Sequence, residues 1–120
     1  TRYARLKAAA ASYGLEVADV PGDGDCLYHG LALALGHATG LYTQLAWRAA
    51  IAMHLELWTL DPEVREIVAA SLDPTITLQR YIAGVRGTDW GDHTSLVVAC
   101  KPELGNCTIV VWSPTSPLPL

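Results

Sequence analysis

The sequence predicts a helix-rich α+β domain, on three observations. Apolar residues recur at helical spacing through most of the chain, one β-branched run at 106–112 reads as a strand, and few other strands are recognisable. Apolar residues make up 51% of the 120 and charged residues only 17%, which is the balance of a filled core and excludes a disordered chain. This length suits one domain, taken as 1–112, followed by a proline-rich tail at 113–120.

Residues 2–13 read as the first helix, with Tyr3, Leu6, Ala10 and Tyr13 on one face and Gly14 ending it. Leu15 to Val20 alternates loosely, as a short strand or an extended entry to a loop does. From Cys26 to Leu35 the residues are apolar almost all round, which predicts a helix enclosed by its neighbours. Gly36 and Gly40 bracket a turn, after which Trp47, Ile51, Leu55 and Trp58 repeat at helical spacing to about residue 59. Asp61-Pro62-Glu63 is a helix start, and Val64, Ile67, Val68 and Leu72 give that helix an expected buried stripe.

Asp73-Pro74 breaks the chain, Thr77 caps a further helix bearing Leu78, Tyr81, Ile82 and Val85, and Gly87 closes it. Asp92 or Thr94 caps a last helix that runs to about Cys100, where Lys101-Pro102 stops it. Asn106 to Trp112 is the clearest strand, and the tail is too rich in proline for a helix or an inner strand.

The chemistry concentrates in Pro21-Gly22-Asp23-Gly24-Asp25-Cys26-Leu27-Tyr28-His29-Gly30-Leu31-Ala32. A cysteine in the first turn of a helix meets unpaired backbone N–H groups and the positive end of the helix dipole, and both favour the thiolate. A glycine-containing loop just before it can aim further N–H groups at one point, as an oxyanion hole requires. Without more context a cysteine beside a turn is an ordinary small apolar residue.

More context is present. The Gly-Asp-Gly-Asp-Cys-Leu-Tyr-His-Gly-Leu-Ala run resembles the nucleophile motif of the ovarian-tumour (OTU) family of cysteine proteases, and Trp90-Gly91-Asp92 looks like that family's downstream Trp-Gly signature. Across about residues 14–112 the resemblance implies an OTU-like fold, helices about a small central sheet. It also implies thiol isopeptidase activity on ubiquitin or a ubiquitin-like modifier. Cys26 is then the nucleophile, Gly24, Asp25 and Cys26 supply the oxyanion hole, and Asp23 shapes the loop that presents it.

A net charge of −4 offers no footprint for nucleic acid or an anionic membrane, and Arg48, His54, Glu56 and Asp61 interrupt the longest apolar stretch. Cys26, Cys100 and Cys107 are odd in number and lack CxxC spacing, so neither a disulfide scaffold nor a metal site is expected, and no cofactor is called for. Cys100 and Cys107 read as core residues, and free thiols fit a reducing, cytoplasmic setting. No secretory leader is recognisable, and a start at Thr1 suggests excision from a longer protein, a viral or bacterial effector polyprotein included.

A thiol protease needs a general base, and the histidine that the resemblance places beyond the 106–112 strand is absent: no histidine follows His93. His29 shares a helix with Cys26 but lies alongside its first turn and reads as structural, while His37 reads as a solvated loop residue and His54 as a satisfied histidine. His93, beside Asp92 at a loop-to-helix junction, is the in-chain substitute. Three explanations therefore stand from the sequence: an isopeptidase using Cys26 whose sequence is cut before the final strand, one that uses an unorthodox histidine, or a catalytically inactive module that binds ubiquitin or another protein.

Overall fold

The computed structural model describes residues 2–17, 24–37, 41–109, 112–113 and 116–119. Asp23, Gly22, Gly40 and the 18–20 end of the extended entry lie outside the described residues. The chain divides into two units, Thr1–Asp19 with Thr108–Leu120, and Val20–Cys107.

In the first unit, α1 (Arg2–Ser12) ends where Gly14 takes a left-handed φ of 72°. That turn lets Leu15 N–H reach back to Ala10 O at 2.9 Å and Gly14 N–H to Ala11 O at 3.0 Å, a closure that a side-chain-bearing residue would strain. Two short strands, β1 (Trp112–Ser113) and β2 (Ser116–Pro119), pair antiparallel with Trp112 opposite Pro119 and Ser113 opposite Ser116, and α1 packs on β2. Both strands of such a ribbon are edges, where proline is tolerated.

The expected small central sheet is not there. Among the described residues the second unit holds helices joined by turns and no strand, and the β1–β2 ribbon belongs to the other unit. The strand predicted at 106–112 fails over 106–109 for a local reason, while 110–111 lie outside the described residues and Trp112 opens β1. Asn106 sits at φ 47° and its N–H bonds Lys101 O at 3.0 Å, so residues that look β-branched and extended instead finish a turn folded back on the preceding helix. Strand propensity needs a partner edge, and among the described residues no strand pairs with 106–109.

The second unit is built on α3 (Leu41–Trp58), against which α2 (Cys26–Ala34), α5 (Leu78–Arg86) and α6 (His93–Ala99) pack. Its core comprises Tyr28, Leu31 and Ala32 from α2, Trp47, Ile51, Ala52 and Leu55 from α3, Ile82 and Val85 from α5, and Val98 and Ala99 from α6. At 18 residues, α3 is about 27 Å long, enough for three helices to share it. α2 is less enclosed than its composition predicts, since Leu33 and Ala34 are exposed. Gly36, at φ 76°, closes α2 as Gly14 closes α1, with His37 N–H on Ala32 O at 2.7 Å.

The capping residues fall where the sequence placed them. Asp61 accepts from Glu63 N–H at 2.9 Å ahead of α4 (Pro62–Ala70), Thr77 accepts from Arg80 N–H at 3.1 Å, and Asp92 accepts from Ser95 N–H at 3.0 Å. The stripe expected to be buried on α4 is not: no residue of α4 is buried, and Ile67 is 71% exposed. Val64, Ile67 and Val68 instead form one wall of an apolar groove of about 420 Å³ opposite Leu55, Trp58 and Val97.

Candidate functional site

Cys26 is the first residue of α2, and its side chain is half-buried, open to solvent in part. Asp25 takes the N-cap position with its carbonyl accepting from His29 N–H at 3.0 Å, but its side chain makes no capping bond. The carboxylate turns to Arg48, whose Nε donates to Oδ1 at 2.8 Å and whose Nη2 lies 2.6 Å from the same oxygen. The first-turn N–H groups of α2 are thus not consumed by the residue best placed to cap them, which suits a site that needs them for an anion.

Arg48 is the residue that sequence reasoning missed. It is 1% exposed, yet its guanidinium is spent entirely on fixed acceptors. Nη1 donates to Val85 O at 2.9 Å and Gly84 O at 3.5 Å, while Nη2 donates to Gly24 O at 3.1 Å and Asp89 O at 2.8 Å. The guanidinium carbon also sits 4.2 Å above the centre of the fully buried Tyr28 ring. Five donors in a planar fork match this arrangement in a way that lysine does not. One side chain on α3 therefore joins the loop before Cys26, the end of α5 and the turn leading to Trp90.

That clamp brings the two sequence blocks together. A methyl group built on Gly24 would lie 3.3 Å from Thr88 O and 3.7 Å from the Trp90 indole nitrogen, and one on Gly91 would lie 2.7 Å from Leu27 Cβ. Gly24 faces the backbone oxygen of Thr88 and Gly91 leaves room for the Leu27 side chain, so the Gly-Asp-Cys loop and the Trp-Gly turn lie against each other. Behind it, Tyr28 Oη lies 3.5 Å from the buried Ser95 Oγ, tying α2 to α6. Burial pushes the Tyr28 hydroxyl above the ordinary tyrosine value, and the Ser95 bond and the Arg48 charge pull the other way.

His93 opens α6 with an exposed side chain, and no hydrogen bond joins it to Cys26 among the described residues. Asp92, the neighbour of His93 in sequence, is engaged elsewhere: Tyr81 Oη donates to both carboxylate oxygens at 2.7 and 2.9 Å while Ser95 N–H takes the cap. Burial, and then the Asp92 hydrogen bond and charge, hold the Tyr81 hydroxyl well above the usual tyrosine range.

His29 is buried, as a structural histidine is, but its Nδ1 has no hydrogen-bond partner among the described residues. His54 Nδ1 meets Ala50 O at 3.0 Å, and His37 is exposed beside Trp47, their ring centres 6.2 Å apart. Cys100 and Cys107, expected in the core, are both half-buried.

Two grooves flank the helices. The apolar one between α4 and α6 has Lys101 at its edge, the ammonium 5.0 Å above the Trp58 ring. A smaller one of about 280 Å³ is lined by His37, Trp47, Glu103 and Leu104. Cys26 is not among the residues lining either. Among the described residues no group of three His, Cys, Asp or Glu side chains is placed to hold a metal ion, and no helix is long and apolar enough to cross a membrane. Comparison with known protein families, curated proteins and solved structures found no match to this chain.

Proposed function

We propose that this chain is a thiol isopeptidase of the ovarian-tumour type, acting on ubiquitin or a ubiquitin-like modifier with Cys26 as nucleophile. The observation that carries the reading is the meeting of its two motif blocks, Gly24 against Trp90 and Gly91 against Leu27, at the open end of α2. In the reaction the Cys26 sulfur attacks the isopeptide carbonyl, the C–N bond breaks, and the lysine amine leaves with a proton. Water then hydrolyses the thioester to the modifier's carboxylate and the free thiol. Backbone N–H groups of Gly24, Asp25 and Cys26 hold the oxyanion, and Arg48 fixes the loop that carries them.

A second reading, an inactive module that binds ubiquitin or another protein, is favoured by one specific observation. No histidine is hydrogen-bonded to Cys26 among the described residues, and His93 faces solvent while Asp92 is occupied by Tyr81. A ubiquitin bearing a C-terminal electrophile separates the two. Labelling that Cys26→Ala abolishes, together with turnover of a ubiquitin–lysine isopeptide, supports the protease, and loss of turnover in His93→Ala assigns the base. Binding of ubiquitin that survives Cys26→Ala, without labelling or turnover, supports the module. Neither labelling nor binding rejects both.

A further inference from the structure

Cys100 and Cys107 take no part in the proposed reaction, yet the fold places them side by side. Cys100 ends α6, its N–H on Leu96 O at 3.1 Å, and the chain then doubles back through a tight turn. Leu104 N–H reaches Lys101 O at 2.9 Å, Gly105 N–H reaches Ala99 O at 2.8 Å, and Cys107 N–H bonds the carbonyl of Cys100 itself at 3.3 Å. Gly105 makes the turn this tight: a methyl group there would lie 2.5 Å from Ala99 O and 3.2 Å from the Cys107 sulfur. The Cys107 thiol is thereby pressed against the turn that begins at Cys100. Partial burial raises its pKa, and the adjoining Cys100 sulfur raises it further, as neighbouring thiols do. Both side chains are half-buried, so a small reagent reaches them.

We propose that Cys100 and Cys107 are a redox-active dithiol that closes to an internal disulfide by exchange with a low-molecular-weight disulfide such as oxidised glutathione. The Cys100 thiolate attacks one sulfur of the reagent, whose S–S bond breaks and releases one glutathione thiolate. The Cys107 thiolate then attacks the Cys100 sulfur of the mixed disulfide and expels the second. The protein loses two electrons and two protons, and the reagent gains them as two thiols. Cys107 serves as the resolving thiol because its N–H bonds the Cys100 carbonyl, a proximity that makes resolution intramolecular. The closed form pins the turn that carries Lys101 over Trp58 and Glu103 and Leu104 into the smaller groove.

The test uses the full chain equilibrated in glutathione buffers of graded ratio, alkylated, weighed intact and then cleaved after Glu103, which separates the two cysteines. The proposal expects a species lighter by two hydrogens, whose halves stay joined after cleavage until a reductant is added. It also expects Cys107→Ser to accumulate a single glutathione adduct on Cys100 in place of the link. Persistent glutathione adducts on both cysteines of the unaltered chain would overturn it. So would a link from Cys26 to either one, or no reaction at any ratio. The readout is covalent and independent of turnover, so its failure leaves the proposed activity of Cys26 untouched.

Discussion

Arg48 shows most directly how one side chain sets up the site. Its neighbours in the fold are one partly exposed carboxylate and four backbone carbonyls, of which those of Gly84 and Val85 are buried with the guanidinium. Breaking a buried ion pair by removing one partner costs about 3–5 kcal/mol, because the remaining groups stay desolvated. Arg48→Ala is therefore expected to lower unfolding stability by that amount in urea titration. Arg48→Lys should recover little, since an ammonium cannot serve acceptors spread around a plane. The sequence reads Arg48 only as a charge interrupting an apolar run. The signal it did hold was position: Arg48 lies on the helical face of Trp47, Ile51 and Ala52, all of them buried. What no spacing could tell was that carbonyls from three other segments converge there.

Tyr81 gives the pH dependence at the same scale. Its folded-state pKa is raised, so the unfolded chain gives up the phenolic proton first. The stabilisation is fully present below the ordinary tyrosine value of about 10, and is lost as pH climbs from there through the folded value. Tyr28 shifts in the same direction, mainly through burial. Thermal unfolding followed from about pH 8 upward should show stability declining above pH 10. Tyr81→Phe should make that decline shallower, and an unchanged slope would remove Tyr81 from the account.

Among the elements, two capped helices differ in what their caps support. Asp92 starts α6, which delivers the buried Ser95, Val98 and Ala99, and it also receives the Tyr81 hydroxyl. Asp61 starts α4, which buries nothing. Losing a cap costs about 0.5–2 kcal/mol in either helix, but only the α6 loss passes into the cooperative core. Asp92→Ala is expected to lower global stability by about 1–2 kcal/mol. Asp61→Ala should instead speed amide exchange within 62–70 and leave the global midpoint nearly unchanged. Hydrogen exchange on the two variants distinguishes these outcomes.

Helix starts and stops were legible because Asp61-Pro62, Thr77, Gly87 and Asp92 act on their own backbone within a few residues. The burial of α4 was not, because an apolar stripe records only a preference for cover. The 106–112 run misled for the corresponding reason, a strand being defined by a neighbour that the sequence does not name.

At the scale of the whole molecule, the candidate site is a junction between segments more than sixty residues apart, Gly24 to Leu27 and Thr88 to Gly91. The two blocks could be read from their residues, while their contact depends on α3, α5 and the Arg48 clamp. Gly91→Ala probes that contact directly, since its methyl group would fall 2.7 to 2.9 Å from three atoms of Leu27. Overpacking of this kind costs about 1–3 kcal/mol. It should also shift the first turn of α2, so the rate of Cys26 alkylation should change in Gly91→Ala while that of Cys100 stays the same. Equal rates at both cysteines before and after the substitution would mean that the junction does not govern the nucleophile.

The guanidinium of Arg48 grips main-chain oxygens at 24, 84, 85 and 89, and every amino acid carries such an oxygen. Val85 and Asp89 can therefore drift in identity across descendants of this gene without loosening that grip, whereas position 48 cannot. A lineage of this protein would preserve one basic residue, with the Asp25 carboxylate as its single side-chain mate, while the residues that carry those oxygens leave no imprint in pairwise covariation.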